Sequence, residues 1–270
     1  MYTNSIQEER NISLHQKVYQ TALRNKFIAT SEAEAITGNS STARIILTRL
    51  FKRGQLLRIR GGLYAAVPLE RVGSEYEVDR YLLIDKAMGM NGALAFHSAL
   101  EIHGVAQSSF TTVYYLSGKW IPHFEFQDIN YRVIRSVKLF GITKLFRDGI
   151  QMSVTDKERT VLDCIRRPDL CGGLEEYVKS IESLAGLSPT RLLDHLERFD
   201  DRSLFNRAGF ILSVLKNELK VSDDLLQILK GRVSRTRYPL VPGARSEGSE
   251  LNVEWNVLVP ENFEEVAKFV

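Results

Sequence analysis

The segment from Asn39 to Gly62 constrains this chain more than any other, because it holds six basic residues and no acid while its periodicity passes from helix to strand. Ala43, Ile46, Leu47 and Leu50 recur at i, i+3, i+4 and i+7, which predicts a helix with one inward apolar stripe. Asn39-Ser40 caps its start, it runs through Lys52, and Gly54 stops it. The opposite face carries Ser41, Arg44, Thr48 and Lys52. Beyond Gly54, Leu56 to Arg60 reads as a strand, Gly61-Gly62 as a two-residue turn with positive φ angles, and Leu63 to Ala66 as the returning strand. Leu57 and Ile59 alternate with Arg58 and Arg60, so the apolar pair is expected to face the helices and the two guanidinium groups to face away.

The residues before this segment complete a recognisable order. Leu14, Val18, Ala22 and Leu23 predict a first helix ending at about Asn25 or Lys26, before the apolar Phe27-Ile28-Ala29. Thr30 or Ser31 then caps a short helix that ends at Thr37-Gly38. Helix, short helix, turn, helix and hairpin give a winged helix-turn-helix, placed at residues 1–68. Charge supports a distinct role for it: residues 1–70 hold 10 basic and 5 acidic side chains, the rest 26 and 28, so the overall +3 conceals a basic N-terminal module. Clustered positive charge on a small module points to a polyanion, here double-stranded promoter DNA. Ser40, Ser41, Arg44 and Thr48 lie toward the start of the third helix, where side chains reach base edges, and Arg44 is the first candidate because Arg can donate two bonds to guanine. Arg49, Lys52, Arg53, Arg58 and Arg60 are candidates for phosphate or minor-groove contacts.

Residues 69–270 read as a larger mixed α/β domain, making the whole α+β. Pro68 to Gly73 forms the junction; Tyr76 to Ala87 looks helical, and Ala93 to His103 looks like a helix closed by Gly104. Thr111 to Leu116 is rich in β-branched and aromatic residues, with Phe124–Phe126, Tyr131–Ile134 and Ile150–Val154 as strand partners in a sheet over about 111–154. Residues 156–230 are mainly helical, with helices at Lys157–Arg166, Leu174–Leu184, Thr190–Phe199, Ser203–Leu219 and Asp224–Leu229; a final strand is expected at about 253–258. The hydrophobic fraction of 44% suffices for a full core. No apolar run is long enough for a membrane span, and Met1 to Arg10 is polar rather than signal-like, so a cytoplasmic protein without a membrane partner is expected. Cys164 and Cys171 are expected to be reduced thiols.

Three segments carry a resemblance that extends over most of the chain. Leu47-Thr48-Arg49-Leu50 through Gly54 to Leu56–Tyr64 is one. His97-Ser98-Ala99-Leu100 with His103-Gly104 is the second. Val154-Thr155 through Glu158-Arg159-Thr160-Val161-Leu162-Asp163 to Pro168 and Gly172-Gly173 is the third. With these the sequence resembles the AbiEi family of antitoxins from type IV toxin–antitoxin systems. The resemblance implies a protein that represses its own operon and neutralises a nucleotidyltransferase-like toxin of the AbiEii type, with the second and third segments as marks of the antitoxin domain.

Taken as chemistry, the same residues look structural or partner-binding rather than catalytic. Thr155 and Glu158 have the spacing of a capping box. His97 could bond at a helix start and His103 could reach carbonyls near Gly104, but their separation by six places them away from each other on a helix, so no shared metal is expected. Gly172-Gly173 lacks the Lys-Ser/Thr ending of a phosphate loop, and no cofactor is expected. Lys230, Arg232, Arg235, Arg237 and Arg245 form a second basic stretch, read as a solvated loop or as a surface for flanking DNA or an acidic toxin patch. The competing functions are a ligand-responsive repressor without a toxin partner, and a DNA-targeted nuclease built from Asp156, Glu158 and Asp163, whose divergent spacing argues against a metal cluster.

Overall fold

The computed structural model describes residues 12–89, 91–243, 248–263 and 265. The chain is mixed α+β and divides into two compact units, residues 1–89 and 90–270.

In the first unit, α1 (Leu14–Asn25) starts at Ser13, whose hydroxyl accepts from the Gln16 amide while the Gln16 side chain accepts from the Ser13 amide, and ends at left-handed Lys26. Strand β1 (Phe27–Ala29) leads into α2 (Thr30–Thr37). The expected cap at Thr30 or Ser31 moves to Ala29, and Glu32 accepts from the Ala29 amide at 2.7 Å. Thr30 is engaged elsewhere: its amide donates to the Gly62 carbonyl at 2.7 Å. Gly38, at φ 69°, turns the chain, and Asn39 accepts from the Thr42 amide to start α3 (Ser40–Lys52). Strands β2 (Leu56–Arg60) and β3 (Leu63–Ala66) form the wing, with β3 central in a β1-β3-β2 antiparallel sheet.

Two details of the wing differ from expectation. Only Gly62 has positive φ, at 78°, where it passes Thr30. The ladder also shifts between Arg58 and Arg60, which breaks simple alternation: Leu56 is fully buried, Leu57, Ile59 and Arg60 are half-buried, and Arg58 is exposed. Val18, Ala22, Ile28, Ala33, Ala43, Ile46, Leu47, Leu50 and Leu56 make the core, closed by the Tyr19 hydroxyl donating to the Val67 carbonyl. The predicted helix from Tyr76 starts instead at Arg80, because Asp79 accepts from the Tyr81 and Leu82 amides; this α4 (Arg80–Ala87) carries Lys86, which pairs with Glu32 at 2.6 Å. The boundary of the first unit therefore falls after α4, beyond the junction expected at Pro68 to Gly73.

The second unit is built on a mixed sheet of order β6-β7-β5-β4-β9-β8. Its strands are β4 (Gly92–Leu94), β5 (Thr112–Ser117), β6 (Phe124–Phe126), β7 (Ile129–Arg135), β8 (Ile142–Arg147) and β9 (Ile150–Thr155). The helix expected over Ala93 to His103 is split: β4 pairs with β5 and β9, Phe96 takes φ 57°, and α5 spans only His97–Ile102. Strand β8 was not foreseen. Helices α6 (Lys157–Arg166), α7 (Leu174–Glu182), α8 (Pro189–Phe199), α9 (Arg202–Val214) and α10 (Asp223–Lys230) follow, α9 ending five residues before the expected Leu219. Leu116, Val161, Ile165, Val178, Ile181, Leu196, Phe199 and Ile211 share one core. A small sheet β10-β12-β11 (Tyr238–Pro239, Val257–Pro260, Ser249–Asn252) replaces the single strand expected at 253–258, much of which is the β11–β12 turn. That turn buries Trp255 against Gly209 of α9, where a Cβ would come within 2.0 Å of the indole.

Candidate functional site

On the first unit, the predicted contact residues lie on α3, on its C-cap Arg53 and on the wing, and most of them are exposed. Ser41, Arg44, Thr48, Arg49, Lys52, Arg53 and Arg58 are exposed, Ser40 and Arg60 half-buried, and Ala43, Ile46, Leu47 and Leu50 are turned into the core. Arg44, Arg49, Lys52, Arg53 and Arg58 have no carboxylate partner among the described residues, and residues 35–69 contain no Asp or Glu at all. The electrostatic consequence is visible at His15 on α1, whose pKa is held below its ordinary value by burial and then by Arg49 and Arg53. Charges of one sign held together without counterions on a rigid helix and hairpin create a potential that attracts a polyanion.

On the second unit, the motif residues have turned inward. Arg159 is 1% exposed, lies 4.4 Å over the rings of both Phe140 and Phe199, donates from Nε to Asp163 at 2.9 Å, and donates from Nη1 to the Lys138 and Phe140 carbonyls. Full burial pushes the Asp163 carboxyl up, and Arg159 pulls it back only in part. The expected capping box at Thr155 and Glu158 does not form. Asp156 is the cap, accepting from the Arg159 amide at 2.8 Å, because Thr155 still belongs to β9 and its hydroxyl meets that of Thr160. Glu158 instead accepts from the Ser188 amide at 2.6 Å and pairs with Arg191.

His195, which the sequence offered no reason to select, holds Asp156 through Nε2 at 2.9 Å. Burial alone would raise the Asp156 pKa, but the His195 hydrogen bond, the Arg159 amide and the Arg191 charge outweigh it and leave the carboxyl below its usual range. Gly141, at φ 60°, permits this packing, since a Cβ there would come within 2.8 Å of both His195 and Arg159.

The histidines also part company. His97 stacks on Phe110 with ring centroids 3.8 Å apart, and its Nε2 lies 3.3 Å from Glu176. Glu176, another residue missed in the sequence, also accepts from the Gln107 and Ser108 amides. Ser98 accepts from the Tyr114 amide, joining α5 to β5. His103 reaches the Thr155 carbonyl at 2.9 Å rather than carbonyls of its own helix, and burial holds its pKa low. Asp156, Glu158 and Asp163 are thus committed to three different partners, and among the described residues no group of three His, Cys, Asp or Glu is arranged to hold a metal. Cys164 and Cys171 are buried free thiols.

The second basic stretch is partly neutralised. Lys230 pairs with Glu254 and Arg232 with Glu197, and the loop is anchored by buried Asn206, which bonds Ser234 and Thr236. Arg235 and Arg237 are exposed, and Arg245 lies outside the described residues. No described helix is long and apolar enough to cross a membrane.

Comparison with protein-family models and with curated protein sequences returned no match. Among solved structures, the chain is similar to the RV2827C protein from Mycobacterium tuberculosis, with a TM-score of 0.64 over 92% of each chain at 14% sequence identity. That likeness shows a shared fold over nearly the whole length.

Proposed function

We propose that this protein is a sequence-specific DNA-binding repressor whose first unit places α3 in the major groove and the β2–β3 wing against the flanking backbone. The observation that carries the reading is the acid-free surface of α3 and the wing, where Arg44, Arg49, Lys52, Arg53 and Arg58 are exposed on a helix-turn-helix of the right order and length. The resemblance to AbiEi antitoxins extends it to autorepression and to neutralisation of a nucleotidyltransferase-like toxin by the second unit. The motif residues Ser98, Thr155, Glu158, Arg159 and Asp163 are buried, so they hold the scaffold and any partner contact uses other residues.

The test is binding of the full chain to duplex DNA by fluorescence anisotropy, with preferred sites first selected from a randomised pool. Arg44→Ala should lose on the order of 1–3 kcal/mol of discrimination between the selected and a scrambled duplex. Equal affinity of the unaltered protein for both duplexes overturns sequence-specific binding. The antitoxin half is tested by growth of cells expressing a nucleotidyltransferase-like neighbouring gene: rescue should survive the combination Arg44→Ala with Arg60→Ala, and loss of rescue by that folded variant leaves a repressor alone.

A further inference from the structure

The outward face of α3 is not uniformly polar: Ile45 lies in its middle and is 52% exposed. Successive helical residues turn by about 100°, so Ser41, Ile45, Thr48 and Lys52 fall within a wedge of roughly 60°, diametrically opposite the buried stripe. Arg44 and Arg49 stand about 70° to either side of that line. Scattered exposed apolar residues are ordinary on protein surfaces, but this one lies within that outward wedge, on the side toward Arg49, with the hydroxyl side chains of Ser41 and Thr48 on the turns before and after it. An isoleucine there cannot hydrogen-bond, so the contact its exposed half can add to a bound ligand is with an apolar group.

We propose that Ile45 reads the C5-methyl group of a thymine, making an A·T pair part of the recognised sequence. The inference rests on the DNA-binding reading above. The neighbouring cations Arg44, Arg49 and Lys52, which have no carboxylate partner among the described residues, favour a polyanion as occupant. Within the major groove, thymine is the one unmodified base that presents a methyl group, and apolar side chains read it by contact. The arrangement divides the work along α3: the central Ser41, Ile45 and Thr48 meet base edges, and the arginines to either side reach guanine or phosphate. In the sequence Ile45 only interrupts the polar pattern of that face; its exposure in the fold is what identifies it.

The experiment replaces each thymine of the selected duplex in turn by uracil, which removes only the methyl group, and measures binding to the full chain. At one position uracil should weaken the unaltered protein about fourfold, the value of one buried methyl-sized group. Ile45→Ala should bind the thymine duplex about fourfold more weakly and be indifferent to uracil at that position, while Arg44→Ala keeps the uracil effect. The uracil series on the unaltered protein does not depend on any variant folding. If the protein selects a sequence yet no uracil position costs affinity, or if Ile45→Ala remains as sensitive to uracil as the unaltered protein, the thymine assignment falls and the DNA reading stands. If no duplex is preferred, both fall. A change of oligomeric state in Ile45→Ala, with uracil sensitivity retained, identifies a protein–protein contact instead and also overturns it.

Discussion

Arg44 and Arg159 carry the same guanidinium group in opposite surroundings. On the first unit Arg44 is exposed on a face with no acid nearby in sequence; on the second, Arg159 is 1% exposed between two phenyl rings, with Asp163 and two carbonyls filling its donors. A charge kept in water without a counterion contributes little to folding and remains available to a ligand. A charge buried with its partner cannot reach a ligand and instead fixes which packing the core adopts, because losing either member leaves the other desolvated and alone. The two units therefore place one chemistry in two settings: outward charge left to water and, on the proposed function, to a ligand, and inward charge that holds the architecture.

The largest effect is expected at the buried pair. Arg159→Met removes the guanidinium but leaves Asp163 buried without its ion-pair partner, so unfolding in urea should show a loss of about 3–5 kcal/mol. Combining Arg159→Met with Asp163→Leu should recover most of that loss, since an apolar pair of similar size can replace a buried ion pair. A single variant no worse than a surface substitution, or a double variant no better than the single, breaks the contrast between the units.

Acid should act on the second unit more gently. His103 has its pKa held below the ordinary 6.5 by burial. A group depressed in the folded state contributes stability that is fully present above its unfolded value and is lost as pH falls through the folded one. Asp156, held below 3.8 chiefly by His195 against its own burial, follows the same sign in a lower window. The urea midpoint should therefore decline as pH falls below about 6.5 on account of His103, and decline again below about 4 as Asp156 is protonated. Introducing His103→Gln should flatten the upper window and leave the lower one. An upper window unchanged in that variant would mean that His103 is not its source.

The outward-facing parts were far more legible in the sequence than the inward-facing ones. The span of α3, its buried stripe Ala43, Ile46, Leu47 and Leu50, and its polar face all follow from a 3.6-residue period, and Asn39 and Gly38 mark its start by local chemistry. Periodicity has nothing to say about Asp156 meeting His195, or His97 meeting Glu176, which are 39 and 79 residues apart. The capping assignment at Thr155 failed for a related reason: Thr155 is held by its place in β9, paired with Ile142 of β8, a strand the sequence did not reveal because its exposed edge mixes Lys144, Phe146 and Arg147 without alternation. The buried position of Trp255 in a turn is likewise set by the fold, which packs it on Gly209 of α9 and into the core of the second unit. Local signals survive in one dimension when water faces one side of an element; contacts made only by the fold do not.

The smallest effect on stability should come from the residues with the largest effect on binding. Arg58 is exposed at the wing with no carboxylate partner among the described residues, so Arg58→Ala removes no buried contact and should change the unfolding free energy by no more than about 0.5 kcal/mol. Its removal should nonetheless weaken binding to selected and scrambled duplexes alike, because a phosphate contact is blind to sequence. The slope of log affinity against log salt should shrink by about 0.9 for each phosphate that the variant no longer neutralises. Arg44→Ala, by contrast, should also leave stability unchanged but lower affinity for the selected duplex more than for the scrambled one. Measured together, the two variants separate the wing from the helix: an unaltered salt slope in Arg58→Ala would remove the wing from the interface. Destabilisation by either variant comparable to Arg159→Met would show instead that the first unit uses its arginines as the second unit does, and the contrast between them would no longer hold.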